Sequence, residues 1–259
     1  MTDAPTTPRE LAWVVGAGGL VGQHVTAELR GGGQEVRTTN VPWADEDASI
    51  RVLTGAVEDF ARARRGRPWS VAWCAGAGVV ATGEAELATE VRVFDRVAAA
   101  LTASVGPGED GVLFLASSAG GVYAGSAGPP FDERTEPHPL VAYGRAKLAM
   151  EGHASAVAQR TGVRVVLGRL ANVYGPGQRL GKPQGLLSQL CLAHATRRPL
   201  PVFVSLDTIR DYLYAGDAAR MVVRTIARAR EEPEGSVVVK VLASGRPVTV
   251  GYLVSEARR

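Results

Sequence analysis

Cysteine is scarce in this chain, with only Cys74 and Cys191 among 259 residues. Two lone thiols in apolar segments do not make a disulfide-stapled secreted domain; both are expected to be buried core thiols of a protein in the reducing cytoplasm. Long hydrophobic runs are missing too. The apolar stretch near Val71–Ala81 is too short to span a bilayer and holds two glycines. Met1–Glu10 is polar, carries two prolines and lacks the basic-then-apolar pattern of a leader. Charge of one sign is not in excess. The net charge is +3 and the arginines are scattered among acids, which argues against a nucleic-acid surface. His24, His138, His153 and His194 show no ligand spacing with Cys, Asp or Glu, so no metal is expected. Lysine is the most depleted basic residue: only Lys147, Lys182 and Lys240 among 29 Lys and Arg.

What remains is ordinary for a globular protein, with 46% hydrophobic and 21% charged residues and a length that buries a large core. Leu11–Val15 reads as a strand that runs into Gly16-Ala-Gly-Gly19-Leu20-Val-Gly22 and then a helix over Gln23–Arg30. Glu35–Thr39 is a second strand. Asp45–Arg65 carries Ile50, Leu53, Val57 and Phe60 at helical spacing, and Val71–Ala75 is again a strand. A long helix follows, marked by Leu87, Val91, Phe94, Val97 and Leu101. Val112–Ala116, ending in Ser117-Ser118, is a strand, Tyr143–Gln159 a helix and Val163–Leu167 a strand. Strands alternating with helices predict an α/β fold, a doubly wound parallel sheet. Residues 11–175 form the expected sheet domain and 176–259 a small C-terminal lobe interleaved with the last strands. Trp13, Trp43, Trp69 and Trp73 lie in or beside strands and are expected in the core.

Tyr143 and Lys147 are four residues apart, hence on one face of a helix. An ammonium beside a phenol favours the phenolate, which makes Tyr143 a candidate proton carrier on a carbinol or carbonyl oxygen. With six tyrosines and three lysines, a chance pair at this spacing is expected roughly 0.07 times. The alternative is a plain surface pair. The glycine loop lies between a strand and a helix, the context in which a pyrophosphate is held at a helix N-terminus, although a ligand-free tight turn would look similar. Thr38-Thr39-Asn40 stands where a ribose-binding carboxylate is usual, and Asn40 can hydrogen-bond a ribose hydroxyl. Ser117 and Ser118 end a strand, where open sheets place ligands or where a hydroxyl simply bonds local backbone. Asn172 can donate and accept, and Arg210 can grip phosphate at two points. Either can equally be a turn asparagine and an arginine paired with Asp211 or Asp217.

Taken together, Gly16/Gly19/Gly22, Ala75-Gly76, Ser117-Ser118 with Val122-Tyr123, Tyr143/Lys147, Arg169-x-x-Asn172-Val-Tyr-Gly-Pro176 and Arg210-Asp-Tyr resemble the extended short-chain dehydrogenases/reductases. The likeness is to the nucleotide-sugar epimerase/dehydratase branch and runs from Trp13 to about Asp217. It implies a Rossmann-like sheet and NAD or NADP, undecided between the two. Gly16, Gly19, Leu20, Gly22, Asn40, Ala75 and Gly76, with Tyr143 and Lys147, would hold the cofactor. Ser118, Tyr143 and Lys147 would be catalytic, and Ser117, Asn172 and Arg210 would meet a nucleotide-sugar substrate. A homodimer through Tyr143–Gln159 and about Glu84–Ala103 is also implied, with no membrane or nucleic-acid partner.

The sequence departs from that family in four ways. The run Ala119-Gly120-Gly121 lengthens the serine loop, which leaves Ser117 and Ser118 in competition. No Asp-Glu pair follows the serines, which argues against a dehydratase. The family's third strand and its adenine-binding aspartate are missing. The chain ends soon after Val237–Val241. The expected activity is an NAD(P)-dependent epimerase or ketoreductase of a nucleotide-activated sugar. A non-catalytic dinucleotide sensor or scaffold, and a ketoreductase of a non-sugar substrate, are the competing readings.

Overall fold

β1 (Leu11–Val15) is buried at all five positions, which requires a strand covered on both faces. The computed structural model describes residues 9–76, 78, 82–181 and 185–258. The polar stretch before Arg9 and Lys182 lie outside the described residues.

After β1 come α1 (Leu20–Gly31), β2 (Glu35–Thr38), α2 (Glu46–Ala63), β3 (Trp69–Trp73) and α3 (Glu84–Ser104). β4 (Gly111–Ser118), α4 (Ala119–Val122), α5 (Ala142–Thr161) and β5 (Arg164–Leu170) follow. Then come β6 (Asn172–Tyr174), α6 (Leu186–Thr196), β7 (Ile209–Tyr214) and α7 (Ala215–Ala229). β8 (Val237–Leu242), β9 (Pro247–Thr249) and α8 (Val250–Ala257) close the chain. Local chemistry sets the ends. Asp45 caps α2 by accepting from the Ala48 N–H at 2.9 Å, and α5 stops at Gly162, whose φ of 78° is left-handed.

The main sheet has six strands in the order β2-β1-β3-β4-β5-β8, every pair parallel. Side chains alternate between two cores. One holds Trp13, Trp69 and Trp73 of the sheet with Phe60 of α2, Phe94 of α3 and Met150 of α5. The other holds Val14, Phe114 and Val166 with Val25 of α1 and Val222 of α7. Each such fully buried large side chain contributes about 1.5–3 kcal/mol. Helices on both faces make the sheet doubly wound, a Rossmann-like α/β fold.

β2 is the sheet's outermost strand, and among the described residues none pairs with its far side. The chain goes from β2 through α2 straight to β3, which pairs with β1 from Leu11↔Trp69 to Val15↔Trp73. Within 176–259, α7 and β8 return to the main sheet. β6, β7 and β9 make a separate three-stranded sheet, and α6 and α8 lie beside one another.

Two expectations are corrected. Trp43 is not in the core: it is 47% exposed, and among the described residues no strand lies beyond β2 to cover its turn. Cys191 is exposed, since α6 buries none of its residues fully. Cys74 is half-buried, and burial pushes its thiol pKa up to about 12. No helix among the described residues is long and apolar enough to cross a membrane.

Candidate active site

The glycine loop leaves β1 at Gly16, whose φ of 84° is costly for any residue with a Cβ. A Cβ there would also lie 2.6 Å from Ala75 Cα, so the loop presses on the segment after β3. A Cβ on Gly22 would sit 2.1 Å from the Gly16 carbonyl oxygen. The Gly19 N–H donates to that same carbonyl at 2.9 Å, which closes the turn. α1 therefore begins at Leu20 with its first-turn N–H groups lacking helical partners, an arrangement suited to an anion. Asn40 is exposed just past the end of β2. The strand end beside it is fixed by Trp13 Nε1, which donates to Thr39 Oγ1 at 3.0 Å.

β4 delivers the two serines to different surroundings. Ser117 is buried and donates to Glu151 Oε1 at 2.5 Å. Arg169 of β5 grips the same carboxylate through Nε at 3.1 Å and Nη2 at 2.7 Å. Arg169 Nη1 reaches Tyr123 Oη at 2.6 Å, and Tyr123 donates onward to the Asp132 carbonyl. Burial works against the Arg169 charge, but the Glu151 and Tyr123 hydrogen bonds outweigh it and lift the pKa above the usual arginine value. The Ser117 hydroxyl, expected as a substrate contact, is thus hydrogen-bonded inside the protein. Ser118 instead caps the short α4, accepting from the Gly121 N–H at 3.2 Å.

Tyr143 lies in the first turn of α5. A Cβ on Gly121 would fall 3.0 Å from Tyr143 Cδ1 and 3.4 Å from Ser118 Oγ, so these two side chains flank one point. Lys147, one turn along α5, is buried, and its Nζ lies 5.6 Å from the Tyr143 ring centre. Its other neighbours are Glu90 Oε2 at 3.9 Å and Met150 Sδ at 4.0 Å. A Cβ on Gly76 would lie 3.0 Å from that Nζ, which places Lys147 against the segment that also meets the glycine loop. Glu90 ties this segment down by accepting from the Gly78 N–H at 2.6 Å. Sequence reasoning missed Glu90. Its signal was an acid three residues after Leu87 and four before Phe94, on the buried stripe of α3.

Asn172 and Arg210 are brought together elsewhere. Both line a hollow of about 190 Å³ with Tyr174, Leu186, Thr208 and Tyr212. Asn172 is fixed by donating its Nδ2 to the Asp211 carbonyl at 2.9 Å. Asp211 is occupied by Ser244 and Arg246, and Asp217 by Arg220, so neither carboxylate takes the Arg210 charge. A larger hollow of about 700 Å³ along the 125–140 connection contains none of the candidate residues. The turn after β6 is fastened to α1, where Gln23 Nε2 donates to the Pro176 carbonyl at 3.3 Å and His24 Nε2 lies 3.0 Å from it.

Residues 12–239 match the model of the NAD dependent epimerase/dehydratase family. The chain belongs to that family. Among curated relatives of the family, the dTDP-4-dehydro-6-deoxyglucose reductase of Escherichia coli is 28% identical over 142 residues, 55% of this chain and 43% of that protein. The dTDP-L-rhamnose 4-epimerase of Burkholderia thailandensis is 35% identical over 107 residues, 41% of this chain and 29% of that protein. The chain thus aligns with less than half the length of each. Among solved structures, UDP-glucose 4-epimerase of Thermotoga maritima superposes with a TM-score of 0.77 at 23% identity, covering 96% of this chain and 81% of that one. That likeness speaks to the fold. The glycine cradle, which side chains at Gly16 and Gly22 would fill, fits the dinucleotide in the family's description.

Proposed function

We propose that this chain is an NAD(P)-dependent epimerase or ketoreductase of a nucleotide-activated sugar. One observation carries the reading. Ser118 and Tyr143 flank one point, and Lys147 lies beside them, buried against the segment that packs on the glycine cradle. Among the described residues the Lys147 donors meet no oxygen at hydrogen-bond distance, and the hydroxyls of a nicotinamide ribose would supply them.

Gly16, Gly19, Leu20 and Gly22 would hold the pyrophosphate, Ala75 and Gly76 would border it, and Asn40 would meet the adenosine ribose. When bound, the nicotinamide supplies hydride acceptance and donation at the sugar carbon. Tyr143 takes the proton from the adjacent hydroxyl as it becomes a carbonyl, and returns it in the reverse direction. Ser118 orients that oxygen by hydrogen bonding. The Lys147 ammonium offsets the negative charge that Tyr143 carries before it takes the proton and after it returns it. Asn172 and Arg210 grip the diphosphate of the sugar nucleotide, Arg210 with two parallel donors. The lack of an Asp-Glu pair after Ser118 favours epimerase or reductase over dehydratase. We also assign a homodimer to the outer faces of α3 and α5, which pack side by side.

The test is purified protein with UDP- and dTDP-sugars and either dinucleotide. Net cofactor oxidation identifies a reductase. Sugar interconversion with no net change identifies an epimerase. Full turnover by Tyr143→Phe would overturn the proton-transfer assignment.

A further inference from the structure

Trp43 is a large aromatic side chain that the fold leaves outside the core, 47% exposed. The turn that carries it is well held. The Asp45 N–H donates to the Pro42 carbonyl at 2.9 Å and Ser49 Oγ donates to it at 3.0 Å. The Trp43 N–H bonds the Val41 carbonyl at 3.0 Å, and Val41 is itself buried. The indole meets Trp73 in an edge-to-face contact, at 6.5 Å between centroids and 82° between planes. Trp73 is buried, while nearly half of the Trp43 surface stays in water.

The position matters. Trp73 ends β3 and pairs with Val15, the residue before Gly16. The next residues, Cys74 and Ala75, lie against the Gly16 backbone. Trp43 therefore stands over the carboxyl ends of β1 and β3, on the β2 side of the cradle. In open α/β sheets that crevice binds dinucleotides, with the adenosine end toward the second strand. The usual means of holding adenosine are missing here. Asn40 replaces the carboxylate, and no described strand lies beyond β2 to wall the site.

We infer that Trp43 is the stacking platform for the adenine of the bound dinucleotide, taking over from the absent acid and strand. This rests on the dinucleotide reading above. An indole presents a flat π-face, and base–aromatic stacking needs no hydrogen-bond partner on the protein. Rigid presentation on a hydrogen-bonded turn lowers the ordering cost of binding.

The full chain is titrated calorimetrically with NAD, NADP and ADP-ribose, alongside Trp43→Ala and Trp43→Phe. Trp43→Ala is expected to weaken the dinucleotide that wild type binds and ADP-ribose by the same factor, about 5- to 150-fold. Trp43→Phe is expected to recover most of the loss. ADP-ribose is expected to quench indole fluorescence in wild type and less in Trp43→Phe. Unfolding temperatures of the variants check that the fold is intact. Unchanged ADP-ribose affinity in Trp43→Ala, or a loss confined to the full dinucleotide, overturns this assignment and leaves the dinucleotide reading standing. Wild-type protein that binds none of the three overturns both.

Discussion

Glu151 stands one helical turn beyond Lys147 and holds Arg169 at two points, 3.1 and 2.7 Å, with both side chains buried. The pair pins helix α5 to β5, and through Ser117 to β4.

Breaking this pair from one side leaves a buried uncompensated charge. Glu151→Gln is therefore expected to lower stability by about 3–5 kcal/mol, read by urea unfolding. A Glu151→Leu/Arg169→Met double variant is expected to lose less than the sum of the two singles.

Tyr143→Phe removes the proposed proton carrier and keeps the ring against Gly121. Turnover is expected to fall about 10²–10⁴-fold with dinucleotide affinity retained, measured by steady-state rates beside calorimetry.

Which of these residues could be named beforehand depends on physics visible at short range. The strand–glycine loop–helix unit, the Tyr143–Lys147 spacing and the missing third strand are local patterns, and they were legible. The different surroundings of Ser117 and Ser118 were not. Adjacent strand residues point to opposite faces, and the partner that holds Ser117 is Glu151, 34 residues away in sequence. Trp43 was misjudged for a related reason: an aromatic near a strand looks like core until the sheet's edge is known. Asp211 and Asp217 looked like partners for Arg210, but hydrogen bonds to Ser244 and Arg246 and the ion pair with Arg220 occupy them.

Gly22→Ala places a methyl 2.1 Å from a backbone oxygen that cannot move without reshaping the loop. Stability is expected to drop by about 1–3 kcal/mol, and dinucleotide affinity more than about tenfold. Thermal unfolding with and without NAD reads both effects.

Arg210→Ala is expected to raise KM for the sugar nucleotide about 10- to 100-fold, with a smaller effect on kcat and none on unfolding temperature. Arg210 is exposed and makes no ion pair among the described residues. Steady-state kinetics against differential scanning separates these outcomes.

Acid sensitivity is expected at Glu109. Burial works against its charge, but hydrogen bonds from Arg64 and the Gly106 N–H carry its pKa below the usual carboxylate value. A depressed folded-state pKa gives stability that is present above the unfolded value, about 4.3, and is lost as pH falls through the folded one. Glu109→Gln is expected to cost about 1–2 kcal/mol at neutral pH, because Arg64 is buried against Trp69. Its stability curve is expected to be flatter than wild type below about pH 4. Chemical unfolding from pH 3 to 7 checks both.

The outer flank of β5 is covered by β8, yet the chain makes β6, α6, β7 and α7 before β8 exists. During synthesis, Val165–Leu170 must wait as an unpaired apolar edge while the intervening segment emerges. A product released before Val237 would therefore be a hazard to its neighbours in the cell, offering that edge to any passing strand, rather than a harmless inactive fragment.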